Sequence, residues 1–260
     1  MKLDRIMIDG VTYLIDTEIE AYEAYYNAMQ HTVWLYDNAT GSAYIVPRGK
    51  TSVDSSDGLG NYKLVVLPNG LETIGYVAFA NTFMLKKLAI PPTTKKIDEY
   101  AFYYCTGLES LHLPDSVVEI GNQAFQNCTA LTEFVFGNGI KKLGKNIFYE
   151  CSSLKTVTLP NSLDEIGDNS FCRWTGLTHI EIPNSVKRIG NSAFQNCYGL
   201  TRLSLLAYGN DKTFPTLGTN AFANILANNS SFRIVVPDGR KEDLASMTNW
   251  SVWKAIMVEG

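Results

Sequence analysis

Six phenylalanines, Phe79, Phe102, Phe125, Phe148, Phe171 and Phe194, recur every 23 residues without a slip. A fixed period in this range restricts a chain to an array in which each unit buries its apolar face against its neighbours. Four more columns keep the same register. They are Ile74, Ile97, Ile120, Leu143, Ile166, Ile189; Leu85, Leu108, Leu131, Leu154, Leu177, Leu200; Leu88, Leu111, Phe134, Val157, Ile180, Leu203; and Ile90, Leu113, Phe136, Leu159, Ile182, Leu205. A solenoid of stacked coils is the architecture that gives every column one environment.

One repeat reads as a local recipe. Leu111-His112-Leu113 alternates apolar, polar, apolar, the period of a half-buried strand. Pro68, Pro91, Pro114, Pro160 and Pro183 end that strand, because proline cannot donate to a ladder. Asn or Asp usually follows, as suits a turn. A second short alternation ends at Ile120-Gly121, in a column shared by Gly75, Gly144, Gly167 and Gly190. That column implies positive φ or close backbone approach, with Asp98 as a residue that tolerates the left-handed region. The Ala-Phe segment predicts a short helix or 3₁₀ turn. Stacked coils would lie roughly 4.8 Å apart. Lys96, Glu119, Lys142, Glu165 and Arg188 then alternate in sign coil by coil, as a stacked ladder favours.

A solenoid must cover its first and last coils. Residues 1–61 predict a β-rich cap, with strands inside Ile6–Ile15 joined through Asp9-Gly10 and further strands within Glu20–Tyr36. Residues 62–237 form the solenoid of about seven coils. Residues 238–260 form a helical cap, with a helix over Lys241–Thr248 and Trp250 and Trp253 closing the core. Phe222 follows Phe194 by 28 residues, so a loop around Ala207–Lys212 is expected to bulge outward.

Composition narrows the function. The net charge of −4 lacks the basic excess that phosphate contacts require, so nucleic acid is not an expected partner. No apolar run of about 18 residues occurs, so membrane insertion is not expected either. The opening Met1–Arg5 lacks the layout of a secretory signal. Cys105, Cys128, Cys151 and Cys197 share one column, with Trp174 in the missing place; free buried thiols are expected there, and Cys172 is the expected exposed one. Short Cys-x-x-Cys pairs are absent, so no metal or other cofactor is expected. His112 and His179 would stand three coils, roughly 14 Å, apart. Hydrolase, phosphate-loop and zinc-peptidase motifs are absent. Glu133 near Asp115 is the best carboxylate pair, of a kind that charge ladders also produce, and the chain is not expected to be an enzyme.

Two surfaces remain as binding candidates. The outward strand columns read Lys87, Ser110, Glu133, Thr156, His179, Arg202 and Ala89, His112, Val135, Thr158, Glu181, Ser204. They vary over a constant scaffold, which is how repeat proteins build specificity. Lys87, His112, Glu133, Val135, Thr158, His179 and Arg202 are the candidates on this face. The rival is a tyrosine group, Tyr76, Tyr100, Tyr103, Tyr104 and Tyr149, since tyrosine offers large contact area at low entropic cost.

The motif Ile-Gly-x-x-Ala-Phe-x-x-Cys, at Ile120 to Cys128 and onward, resembles the BspA-like leucine-rich repeats. The resemblance runs from about Tyr62 to Pro237 and includes the closing segment Phe232–Pro237 with its Trp-containing tail. It implies a leucine-rich-repeat solenoid of α/β type, with short strands, short helical turns and capped ends. It also implies a secreted or surface protein of host-associated bacteria that binds a protein or glycan, for example host extracellular matrix. The residues leave open an intracellular protein–protein scaffold, to which free thiols are suited.

Overall fold

The computed structural model describes residues 5–8, 11–14, 33–36, 43–47, 49–208 and 213–260. A typical 23-residue repeat supplies a first strand, a second strand and a turn, which meet the like segments of neighbouring repeats. First strands include Lys87–Ala89, Ser110–His112 and Glu133–Val135, which pair in parallel at the repeat register. His179–Glu181, Arg202–Ser204 and Arg233–Val236 form another such sheet. Second strands form two sheets: Ser52–Val53 through Glu119–Ile120, and Lys142–Leu143 through Thr216–Leu217. The central apolar residue of the triplets points inward, as at Leu111 and Ile180, between flanks that are more exposed in these two strands.

The turn is not helical. Its N–H groups alternate between the residue three back and the next coil, so Tyr100, Phe102 and Tyr104 donate to the carbonyls of Asn122, Ala124 and Gln126. Such alternation needs a left-handed residue at each end of the turn, with φ of 58° at Tyr100 and 56° at Tyr104. Asparagine, which tolerates that region, therefore recurs at 81, 127, 146, 169, 196, 220 and 224. The glycine column has the other cause: none of its members has positive φ, and neither does Asp98. A Cβ on Gly121 would instead lie 2.4 Å from the Glu99 backbone nitrogen in the coil before it.

Inside, the phenylalanine rings stack as a spine from Phe79 to Phe222, with centroids 5.1 to 6.0 Å apart. The cysteine column lies beside it. Cys128 and Cys197 donate their thiol protons to the carbonyls of Phe102 and Phe171, at 3.2 and 2.9 Å. Trp174 substitutes its indole N–H, donated to the Leu154 carbonyl. A cysteine here is a small apolar side chain that also satisfies a buried carbonyl.

Two neighbouring coils depart from the template, and in the second of them residues 156–158 form no strand. The Phe148 coil, residues 133–148, pairs its first strand with the coil before it and its second strand with the coil after it. Among the described residues no ladder bond joins Glu119–Ile120 to Lys142–Leu143, and none joins Glu133–Val135 to residues 156–158. Two rings explain the skew. Phe134 and Phe136 occupy columns that other coils fill with Leu, Ile or Val, and they wedge against Phe125 and Phe148 at 4.8 to 5.8 Å. Gly137 stands where Pro begins the turn in five other coils, and the Pro-type turn bond seen at Pro114 and Pro183 is not made there.

The strands expected near the start are Arg5–Ile8 and Val11–Leu14, paired antiparallel, with Val33–Tyr36 on the other side of the first. Asp9-Gly10 and most of Glu20–Tyr36 lie outside the described residues. At the far end, Lys241–Ala245 is the expected helix, and Trp250 is buried, donating its indole N–H to Pro215 at 2.7 Å. Trp253 packs edge-on against Phe222. The chain then adds a strand, Met257–Glu259, that extends the first-strand ladder.

Candidate functional site

The first-strand face places its candidates on a fixed lattice. Lys87, Ser110 and Glu133 form one row, and Ala89, His112 and Val135 the next, in one three-stranded sheet. His112 Nε2 lies 2.9 Å from Glu133 Oε1, a diagonal cross-strand pair with both side chains 60% exposed. His179 stands beside Arg202 in the second sheet, and its Nδ1 lies 3.2 Å from the Thr178 hydroxyl. Thr158 is exposed on the segment between the two sheets, where the ladder is interrupted. Lys87, His112, Glu133 and Val135 thus form one group and His179 and Arg202 another. The expected outward row closes early, because Ser204 is buried and Val235, the next residue in it, is buried too.

Tyr76, Tyr100, Tyr103 and Tyr104 form a chain of edge-on rings, with centroids 5.9, 5.3 and 4.6 Å apart. Tyr149 is not part of it: Gln126 takes the intervening place in its column, and Tyr149 lies under the Arg173 guanidinium at 5.7 Å. Phe83 and Met84 sit at the same end of the stack, exposed by 64% and 44%. The sequence reading missed both, although their columns hold small residues elsewhere, such as Thr106, Thr129 and Gly107. Comparing each column for one outsized apolar member would have found them.

Several expected sites have other roles. Cys172 is buried, and burial pushes its thiol up to about 11, so it is protonated near neutrality instead of forming a reactive thiolate. Asp115 accepts hydrogen bonds from the backbone and side chain of Asn138 one coil on, and Glu133 is engaged with His112. Tyr208, expected on an outward loop, is fully buried and donates its hydroxyl to the Pro183 and Val186 carbonyls; residues 209–212 lie outside the described ones. No group of three His, Cys, Asp or Glu among the described residues could hold a metal. No helix among them is long and apolar enough to cross a membrane.

The second-strand face carries the charge ladder. Lys96 pairs with Glu119 at 3.3 Å and with Asp98 at 3.0 Å. Arg188 reaches Glu165 at 2.6 Å and Asp168 at 2.8 Å, while Lys142 reaches Glu165 at 3.4 Å. The alternation of sign therefore supports coil stacking on this side.

The BspA-type leucine-rich repeat region matches residues 58–175 and 95–228, in six copies. Among solved structures, a leucine-rich repeat protein from Bacteroides ovatus ATCC 8483 is 22% identical over 75% of this chain, with a TM-score of 0.55. The chain spans 55% of that protein's length. A leucine rich repeat protein of T. pallidum is 28% identical over 52% of this chain and 69% of its own, with a TM-score of 0.45. A leucine rich cell surface protein from Faecalibacterium prausnitzii A2-165 is 27% identical over 62% of this chain and 59% of its own, with a TM-score of 0.46. No curated protein matches the chain.

Proposed function

The chain belongs to the BspA-type leucine-rich-repeat family, and we propose that it is a non-enzymatic adhesion module that docks a protein or glycan on its first-strand face. Repeats of this kind typically serve as protein-interaction modules. The observation that carries the reading is variation on a fixed lattice. Lys87, Ser110 and Glu133 form one row and His179 and Arg202 another, with exposed Thr156 on the segment between them, and these residues differ in charge and shape while those beneath them stay apolar. A partner would read each row in steps of roughly 4.8 Å, the spacing between paired strands. The surface association of the family supports an extracellular or cell-surface setting, with host matrix as the first partner class to test.

The test is binding of the purified chain to arrayed host matrix proteins and glycans, beside a Lys87→Ala/His112→Ala/Arg202→Ala variant. A hit lost in the variant supports this face. A hit retained moves the site to the tyrosine group, and absence of any hit favours the intracellular scaffold.

A further inference from the structure

A groove of about 410 Å³ runs over the corner where the turns lead into the first strands, across four successive repeats. Thr129, Ser152 and Thr175 line it, one column at the 23-residue register, and all three are exposed. Their hydroxyls make no hydrogen bond among the described residues. The threonines three residues further on behave differently: Thr132, Thr178 and Thr201 donate to the carbonyls of Glu109, Lys155 and Thr178 in the coil before. Tyr198 ends the file. It takes a place that Thr or Ser holds in the three preceding repeats, and it is 40% exposed.

A second file, Glu150, Arg173 and Asn196, borders the same groove. Glu150 and Arg173 are left-handed, with φ of 63° and 59°, in a column that asparagine holds at 81, 127, 196 and 224. Glutamate and arginine are less at ease there than asparagine. Their mutual ion pair, at 2.8 Å with side chains 35% and 54% exposed, contributes little to stability. Stacking therefore does not call for these two residues, and their charges cancel. The backbone along the groove is already engaged. Glu150 and Arg173 donate their N–H groups to Cys172 and Gln195, and Ser152 and Thr175 donate theirs to Glu150 and Arg173. Side chains alone are on offer to a ligand.

We propose that this groove binds a neutral glycan, lying along the stack with one sugar on each coil. The coils beneath it step by 5.6, 6.0 and 5.1 Å between phenylalanine rings, about the length of one sugar in an extended chain. Hydroxyls, a carboxamide, a carboxylate and a guanidinium supply donors and acceptors together, as the hydroxyls of a sugar require. The Tyr198 ring takes the apolar face of the sugar at that end. An extended peptide has no open N–H edge to pair with and no apolar pocket for its side chains, and a charged glycan finds no net charge. The site lies apart from the first-strand face, so either reading can fail without the other.

The test places the full chain on an array of neutral oligosaccharides, with heparin and chondroitin sulfate as charged probes, and titrates the strongest neutral hit by calorimetry. At least one neutral oligosaccharide is expected to bind, with an affinity that does not change between low and physiological salt. Thr129→Val/Ser152→Ala/Thr175→Val keeps the shape and removes the hydroxyls, and should weaken binding roughly tenfold or more. Tyr198→Ala should weaken it several-fold and Tyr198→Phe should not. The Lys87/His112/Arg202 variant should bind as the parent does. Circular dichroism melts establish that each variant is folded, and Ser152→Ala alone carries the test if the triple variant is not. No neutral hit, binding of the charged probes only, or equal affinity in the hydroxyl variant overturns the proposal. Loss of the neutral hit in the Lys87/His112/Arg202 variant overturns it in favour of the first-strand face.

Discussion

The coils of Phe194 and Phe148 follow one template and differ in how they join their neighbours. In the Phe194 coil, residues 179–194, Ile180 and Ile182 fill the first-strand columns, Pro183 starts the turn, and the second strand pairs with the coils on both sides. In the Phe148 coil, Phe134, Phe136 and Gly137 take those three places, and the second strand pairs on one side only, while the first strand of either coil pairs on one side only. Yet the turn side runs through both. Gln123 donates to Lys145, and Phe148 to Ser170, as Phe194 does to Ala221. The phenylalanine spine is equally unbroken, although its widest step, 6.0 Å, falls just after Phe148. Stacking is therefore carried by the spine and the turns, and the strand ladders are free to open where bulky side chains ask for room.

The largest effect should come from the spine itself. Phe148→Ala and Phe194→Ala each empty a fully buried position and should cost about 3–5 kcal/mol, a melting point lower by roughly 10 °C. Similar losses by calorimetry would establish that the skewed coil shares the common core. If Phe148→Ala cost less than half as much as Phe194→Ala, the spine would not be what holds the two regions together.

The repeat register, the core columns and the two strands of each coil were legible because a 23-residue period makes every column a vote on one environment. Trp250 was legible because a terminal coil needs an aromatic cover. The turn side was read as a short helix or 3₁₀ turn, and it is a turn without helical pairing, since Ala-Phe pairs suit a helix locally while the alternating φ is set by bonds to the next coil. The sequence signal for it was the recurrent asparagine. Tyr208 was misread because an insertion in the repeat looks like a surface loop until its hydroxyl is seen between two buried carbonyls. The first-strand candidates were correctly placed outward, but the period could not show that Lys87, His112, Glu133 and Val135 group apart from His179 and Arg202. That split arises from the ladder interruption at residues 156–158, and so from side-chain volume at two neighbouring positions.

The glycine column offers a finer probe of the opening. A Cβ on Gly121 or Gly190 would lie 2.4 or 2.6 Å from a backbone nitrogen of the coil before it, a contact that flexible side chains cannot relieve. On Gly144, which faces the opened ladder, the nearest atom is 2.9 Å away. Alanine at 121 or 190 should cost about 2–3 kcal/mol, and at 144 about 1 kcal/mol, across the range known for overpacking. Urea unfolding of the three variants gives the order directly. Equal costs would mean that the second-strand side is as tightly stacked at the Phe148 coil as elsewhere.

The smallest effect concerns the charges that flank the skewed coil. Burial works to raise the Asp168 carboxyl, but the Asn191 amide at 2.9 Å and Arg188 at 2.8 Å outweigh it and hold it below its ordinary value of 3.8. A carboxylate lowered in the folded state contributes stability in full above its unfolded value and loses it as the pH falls through the folded one. Stability should therefore decline below about pH 4, with Glu109 and Asp164, held low chiefly by Lys86 and Lys187, adding to the same limb. Asp168→Asn keeps an oxygen for the Asn191 amide and removes the charge. Because Arg188 is partly exposed and retains Glu165, the cost at neutral pH should stay below about 1 kcal/mol, and the acid limb should become shallower. An unchanged limb would mean that the acidic coil is held by stacking alone, with Arg188 adding nothing to the tight side of the skew.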